Sequence, residues 1–134
     1  MDAKEYLSQA YYLHLQIVAK ERRLAVLKEV VPCPSAVLSG DSKPSKNPRD
    51  SVVESAVVRM VTLEEEIASD IERLVDVMKD IERRIKGLDS IECRTILEMR
   101  YLSFMGWDEI ATRLGYGSNY VFRLHRKALR MLGG

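Results

Sequence analysis

Histidine, tryptophan and cysteine are scarce in this chain of 134 residues, which holds two, one and two of them. Cys33 and Cys93 lie far apart in no CxxC or Cys/His spacing, so no metal site is expected. His14 and His125 have no acid or nucleophile beside them in a catalytic spacing. There is also no glycine-rich phosphate loop, so neither an enzyme, nor a catalytic residue, nor a cofactor is expected. Long apolar runs are missing too: nothing approaches the roughly 20 residues of a membrane span. The opening MDAKEYLSQ puts acids and polar groups where a leader peptide needs an apolar core. A cytoplasmic protein with reduced thiols and no membrane partner is the expectation. All four prolines fall between Pro32 and Pro48, so regular structure is interrupted in one place only.

What is present points to a folded helical chain. Charged residues make up 31% and apolar residues 46%, in a length that suits one ordinary domain or two small ones. The net charge of +1 hides an asymmetry. From Ala111 onward there are five bases and no acid, whereas Val53 to Ile85 holds nine acids against five bases. These are surfaces for different partners.

Lys4 to Val31 reads as a long helix. Tyr6, Ala10, Leu13, Ile17, Leu24, Leu27 and Val31 recur at steps of four and three, with Lys20 as the polar break. Pro32-Cys33-Pro34 ends it, and the proline- and serine-rich stretch 32–50 reads as a mobile loop. A second long helix carries the cleanest period: Val53, Val57, Met60, Glu64, Ile67, Ile71, Leu74, Met78, Ile81, Ile85 and Leu88 step by four and three, and all but Glu64 are apolar. Such a seam winds around a partner helix. At ~1.5 Å per residue the two helices are about 42 Å and 54 Å long. The first folds back antiparallel on the second, bringing Val31 near Val53 and Tyr6 near Met78. A two-helix hairpin buries little, so a homodimer through the long helices, or docking on something else, is expected to complete its core. The expected fold class is therefore all-α: a hairpin over 1–87, then a three-helix helix-turn-helix unit over 88–134.

In that unit Asp89-x-x-Glu92 reads as a capping box opening a helix that runs to about Leu102, with Ile96, Met99 and Leu102 inward. Ser103 to Gly106 is a turn. Ile110, Ala111 and Leu114 mark the inner face of the next helix. Gly115 takes the left-handed turn, and Gly117 or Ser118 caps a last helix with Val121, Leu124, Ala128 and Leu132 inward. Small, apolar and glycine positions in this order make a helix-turn-helix pattern. The last helix then turns Ser118, Asn119, Tyr120, Phe122, Arg123, Arg126, Lys127 and Arg130 outward. Asn119 and Arg123 share a face and suit adenine and guanine edges in a major groove. Phe122 suits a thymine methyl or a protein surface. Arg126, Lys127 and Arg130, with Ser118 near the helix start, suit phosphates.

Simpler roles compete. Basic residues near a helix C-terminus complement its dipole. Trp107 reads as core, His125 as packed against the first helix of the unit, His14 as a seam-edge residue and Cys93 as a small buried hydrophobe. Glu64-Glu65-Glu66 reads as a solvated face, or as acids meeting a basic polymerase surface.

Residues 89–132 resemble region four of the sigma-70 family. The matching residues are Glu92, Leu97 and Arg100-Tyr101; Trp107-Asp108-Glu109-Ile110-Ala111 with Leu114-Gly115; Val121 and Leu124; and Ala128-Leu129 with Leu132. The whole chain, with its opening DAKEYLSQ and the run DIERLVDVMKDIE, resembles the region-four-like regulators of phages and prophages of Gram-positive bacteria, the ArpU/RinA type. The resemblance implies transcription control of late phage genes, with double-stranded DNA and RNA polymerase as partners. No counterpart of sigma region two is present, which argues against a complete sigma factor. Two other readings stay open: a module that binds RNA polymerase without reading DNA, and a phage DNA-packaging recognition subunit.

Overall fold

A computed structural model describes residues 1–31 and 48–133. Among them the chain is all-α. Helix α1 (Ala3–Val30) and helix α2 (Pro48–Lys86) are long; α3 (Ile91–Leu97) runs on into a π-helical turn over Glu98–Leu102; α4 (Trp107–Leu114) and α5 (Ser118–Met131) follow. Most of the loop expected over 32–50 lies outside the described residues. Its last part, Pro48–Asp50, is helical instead. Proline is well suited to a first helical turn, where its missing N–H would have no partner in the helix anyway.

Contacts divide the chain into two compact units, Leu15–Glu72, and Met1–His14 together with Arg73–Gly134. These units cut across the 1–87 and 88–134 division read from the sequence.

In the unit Leu15–Glu72, α1 and α2 run antiparallel. Val31 packs with Ala56, Val57 and Met60, and Leu24, Leu27 and Val53 cover them. Lys20 Nζ lies 2.6 Å from Asp70 Oδ2 and 3.7 Å from Glu66 Oε2. The seam differs from the expected one at two positions. Leu63 is fully buried and Asp70 is 7% exposed, while Glu64 and Ile71 face outward. From Met60 the seam steps by three and then four, through Leu63, Ile67, Asp70 and Leu74, rather than four and then three. This order sets the buried Asp70 of α2 against the polar break of α1, where each charge compensates the other.

In the other unit, Leu7 and Ala10 of α1 and Ile81 and Ile85 of α2 share a core with Cys93, Ile96, Leu97 and Tyr101, with Ile110 and Ala111 of α4, and with Val121, Leu124 and Ala128 of α5. That shared core is why the contacts do not divide near residue 87. Leu7 is fully buried where the sequence placed Tyr6; Tyr6 instead sits at the core margin, its hydroxyl donating to Asp80 and its ring under the Arg84 guanidinium at 4.4 Å. The N-cap of α3 is Ser90, not Asp89: Ser90 Oγ accepts the Cys93 N–H at 3.2 Å. A capping hydroxyl needs the position directly before the first helical turn, and α3 begins at Ile91. The π turn also changes which residues point inward. Tyr101 is buried, whereas Met99 and Leu102 are half-buried, because the wider turn adds a residue before the chain comes around again. Between α4 and α5, Gly115 has φ +71°, the Gly115 N–H donates to Thr112 O and the Tyr116 N–H to Ala111 O, the paired bonds of a Schellman turn.

Candidate nucleic-acid interface

The sequence of α5 dictates two faces. Val121, Leu124, His125 and Ala128 return at steps of three, one and three and are buried against α3 and α4. The remaining positions look outward: Ser118, Asn119, Tyr120, Phe122, Arg123, Arg126, Lys127 and Arg130 are all exposed. Gly117 is the N-cap and supplies no side-chain acceptor, so the first-turn N–H groups of α5 carry no side-chain cap. Ser118 is the first helical residue. A shallow concavity along the helix is lined by Tyr120, Arg123, Leu124, Arg126, Lys127 and Arg130. None of its four cations forms an ion pair with another described residue, so their charge is uncompensated locally.

The outward residues are not equally free. The Arg123 guanidinium sits 5.5 Å from the centroid of the Tyr120 ring. The Tyr120 hydroxyl donates to Glu92 Oε2 at 3.1 Å, and the Tyr116 hydroxyl donates to the same oxygen at 3.0 Å. The two rings meet edge to face at 4.9 Å. One carboxylate oxygen of α3 thus holds both the turn and the first turn of α5, and Tyr120 in turn seats Arg123. The hydrogen bond to Glu92 raises the pKa of both phenols above its ordinary value, because the carboxylate favours the protonated donor. Periodicity did not single out Glu92 for this role; it looked like half of a capping box, and its true partners lie more than twenty positions downstream.

Phe122 is 37% exposed, and its ring meets Trp107 at 5.4 Å. Trp107 is half-buried, edge-on to His125 at 4.6 Å, with the Arg100 guanidinium 4.6 Å above it. His125 is buried and shares a 2.6 Å hydrogen bond with the Tyr101 hydroxyl. Burial first, and then the charges of Lys4, Arg100 and Arg126, push its pKa down to about 4. At neutral pH the ring is therefore an uncharged packing element beneath the exposed face. Cys93 is fully buried, its Sγ 3.9 Å from Leu124 O. His14 stacks on Phe104 at 4.6 Å.

No group of three or more His, Cys, Asp or Glu among the described residues could hold a metal ion. No described helix is long and apolar enough to cross a membrane. The fold and surface define an all-α chain whose C-terminal helix-turn-helix presents a basic face. Residues 45–133 match the family described as protein of unknown function, DUF1492, and the chain belongs to that family. No curated protein and no solved structure matches it.

Proposed function

We propose that the protein is a DNA-binding transcription regulator that reads a promoter with α5 and acts with RNA polymerase, in the cytoplasm, on late genes of a phage or prophage. The observation that carries this reading is the outer face of α5: Asn119 and Arg123 near its N-terminus, then Arg126, Lys127 and Arg130, all exposed and without a local counter-charge. A helix-turn-helix enters the major groove with the N-terminal part of its second helix. Arginine and asparagine there suit base edges, and cations one turn later suit phosphates. The sigma-70 region-four resemblance of residues 89–132 supports the promoter and polymerase part of the proposal. Phe122 and Tyr120, exposed at 37% and 36%, favour a second reading in which the same face contacts the polymerase without reading sequence.

The active form in this proposal is a homodimer joined through the long helices. Two packed helices shield one face each, and in the unit Leu15–Glu72 the side chains of Val18, Val26, Val58, Val61 and Ile71 remain exposed. A groove on that unit sets Arg22, Arg23 and Arg59 around Val26, Leu27 and Leu63. Its charge complements the Glu64-Glu65-Glu66 run beside Val61, so a second copy suits it as occupant.

The test is selection from a random duplex library at two salt concentrations, followed by sequencing. An enriched motif that vanishes with Asn119→Ala plus Arg123→Ala supports readout by α5. Contact with ~4 phosphates gives a log–log salt slope of roughly −3 to −4. No enrichment and little binding at low salt would overturn the DNA reading in favour of the polymerase-contact one.

A further inference from the structure

Opposite the outer face of α5, the same unit holds a cavity of about 260 Å³. Lys4, Ser8 and Tyr11 of α1 form one side, Arg100, Tyr101 and Phe104 another, and Gly106, Trp107 and His125 close it. Its chemistry is one-sided. The lining holds two basic side chains, Lys4 and Arg100, and no acid. Of the five N–H donors of Arg100, one bond is accounted for, Nη1 to Met105 O at 3.0 Å. Aromatic rings make up much of the wall: Tyr11, Tyr101, Phe104 and Trp107. Lys4 and Arg100 both act on the buried His125 ring with positive charge.

Two backbone irregularities converge on this cavity. Arg100 and Tyr101 project from the π-helical turn Glu98–Leu102, a rare form that is frequent at functional sites. Phe104 has φ +57° and is the only described residue other than glycine with positive φ. For a bulky side chain that conformation costs roughly 1–2 kcal/mol, and such strain clusters at ligand clamps. It aims the Phe104 ring between Tyr11, at 5.8 Å, and His14, at 4.6 Å.

We propose that this cavity binds a small aromatic anion, a single flat ring bearing a carboxylate or a phosphate, with the anionic group on Lys4 and Arg100 and the ring against Phe104 and Trp107. The volume suits one ring better than a nucleotide, since pockets for larger ligands start at about 300 Å³. Because His125 is a buried residue of α5 itself and Trp107 packs on Phe122 and His125 of that helix, the occupant would act as an effector that changes how α5 is held. The inference does not depend on DNA binding.

Trp107 is the only tryptophan in the chain and lines the cavity, so its fluorescence is a single-site probe there. The full chain is titrated with benzoate, phenyl phosphate, inorganic phosphate and benzyl alcohol. The expected result is a saturable change with benzoate or phenyl phosphate, weaker binding of inorganic phosphate, and none of benzyl alcohol. The benzoate and phenyl phosphate arms separate carboxylate from phosphate as the natural headgroup. Lys4→Gln, at an exposed position on α1, weakens binding by roughly two- to five-fold, the scale of one partly exposed ion pair; Lys79→Gln, at an exposed position on α2 outside the cavity, leaves it unchanged. Bound anion also raises the pKa of His125, read from its imidazole proton shifts. Equal affinity for inorganic phosphate would overturn the aromatic part. No saturable change with any anion, or equal weakening by both variants while helicity is retained, would overturn the site.

Discussion

Glu92 accepts two phenol hydroxyls on a single oxygen, and through Tyr120 it sets where Arg123 can reach. Glu92→Ala is expected to leave the helix content of the chain intact but to free Tyr120 and Arg123. DNA affinity on the best site should then fall several-fold, read by fluorescence anisotropy, with a smaller loss on random duplex. Arg123→Ala should cost ~1–3 kcal/mol on the best site and relax the preference at one base pair; equal loss on every sequence would make Arg123 a phosphate contact only. His125 gives a pH dependence whose sign follows from its environment. The folded ring, with a pKa of about 4, binds a proton less readily than the unfolded ring near 6.5. The unfolded state therefore holds more protons between those values, and stability is fully present above pH ~6.5 and falls as the pH drops toward ~4. Thermal melts from pH 7 to pH 5 should show a steeper decline for the native chain than for His125→Gln. Parallel slopes would assign the decline to other groups.

At the scale of elements, the charged contact between α1 and α2 is the most exposed to test. Lys20→Met leaves Asp70 nearly buried without its partner and should cost about 1–3 kcal/mol in chemical denaturation. Lys20→Met with Asp70→Leu should recover most of that loss, since an apolar pair of similar volume is tolerated at such a site. This pair also marks where the sequence stops being legible. Helix α5 could be read residue by residue, because its apolar and polar positions separate cleanly: Val121, Leu124 and Ala128 are buried, and the basic positions are exposed. On α2 the same reading slips between Met60 and Leu74. Two neighbouring stripes are both acceptable there, and the choice between Glu64–Ile71 and Leu63–Asp70 is made by Lys20 on another helix. The π turn was hidden for a related reason. It is a backbone adjustment that lets Tyr101 reach His125, and no local residue preference announces it. Of the cavity behind α5, the sequence singled out Trp107 and His125 as packing residues and Arg100-Tyr101 as part of a resemblance, but not their meeting, because Lys4, Arg100 and His125 come from three separate helices.

For the whole molecule, the exposed valines of the unit Leu15–Glu72 make association the central question. Sedimentation of the native chain is expected to show a dimer in the micromolar range. Val58→Glu with Val61→Glu should shift it to monomer without loss of helix, because both side chains are exposed and carry no intrachain packing of note. A native chain that remains monomeric at high concentration would remove the homodimer from the proposal and leave single-site DNA binding. The other unit carries a different consequence, for synthesis rather than assembly. Its core joins Leu7 to Ala128, which the ribosome adds more than a hundred residues later. Contacts of such long sequence separation form late. While the ribosome is still extending the chain, Leu7, Ala10, Ile81 and Ile85 have no finished core to enter. The nascent polypeptide must keep these side chains soluble, or held by a chaperone, until α5 has emerged. A C-terminal piece beginning at residue 88 would meet the mirror problem, leaving Cys93, Ile96 and Leu97 without the helical turns that cover them.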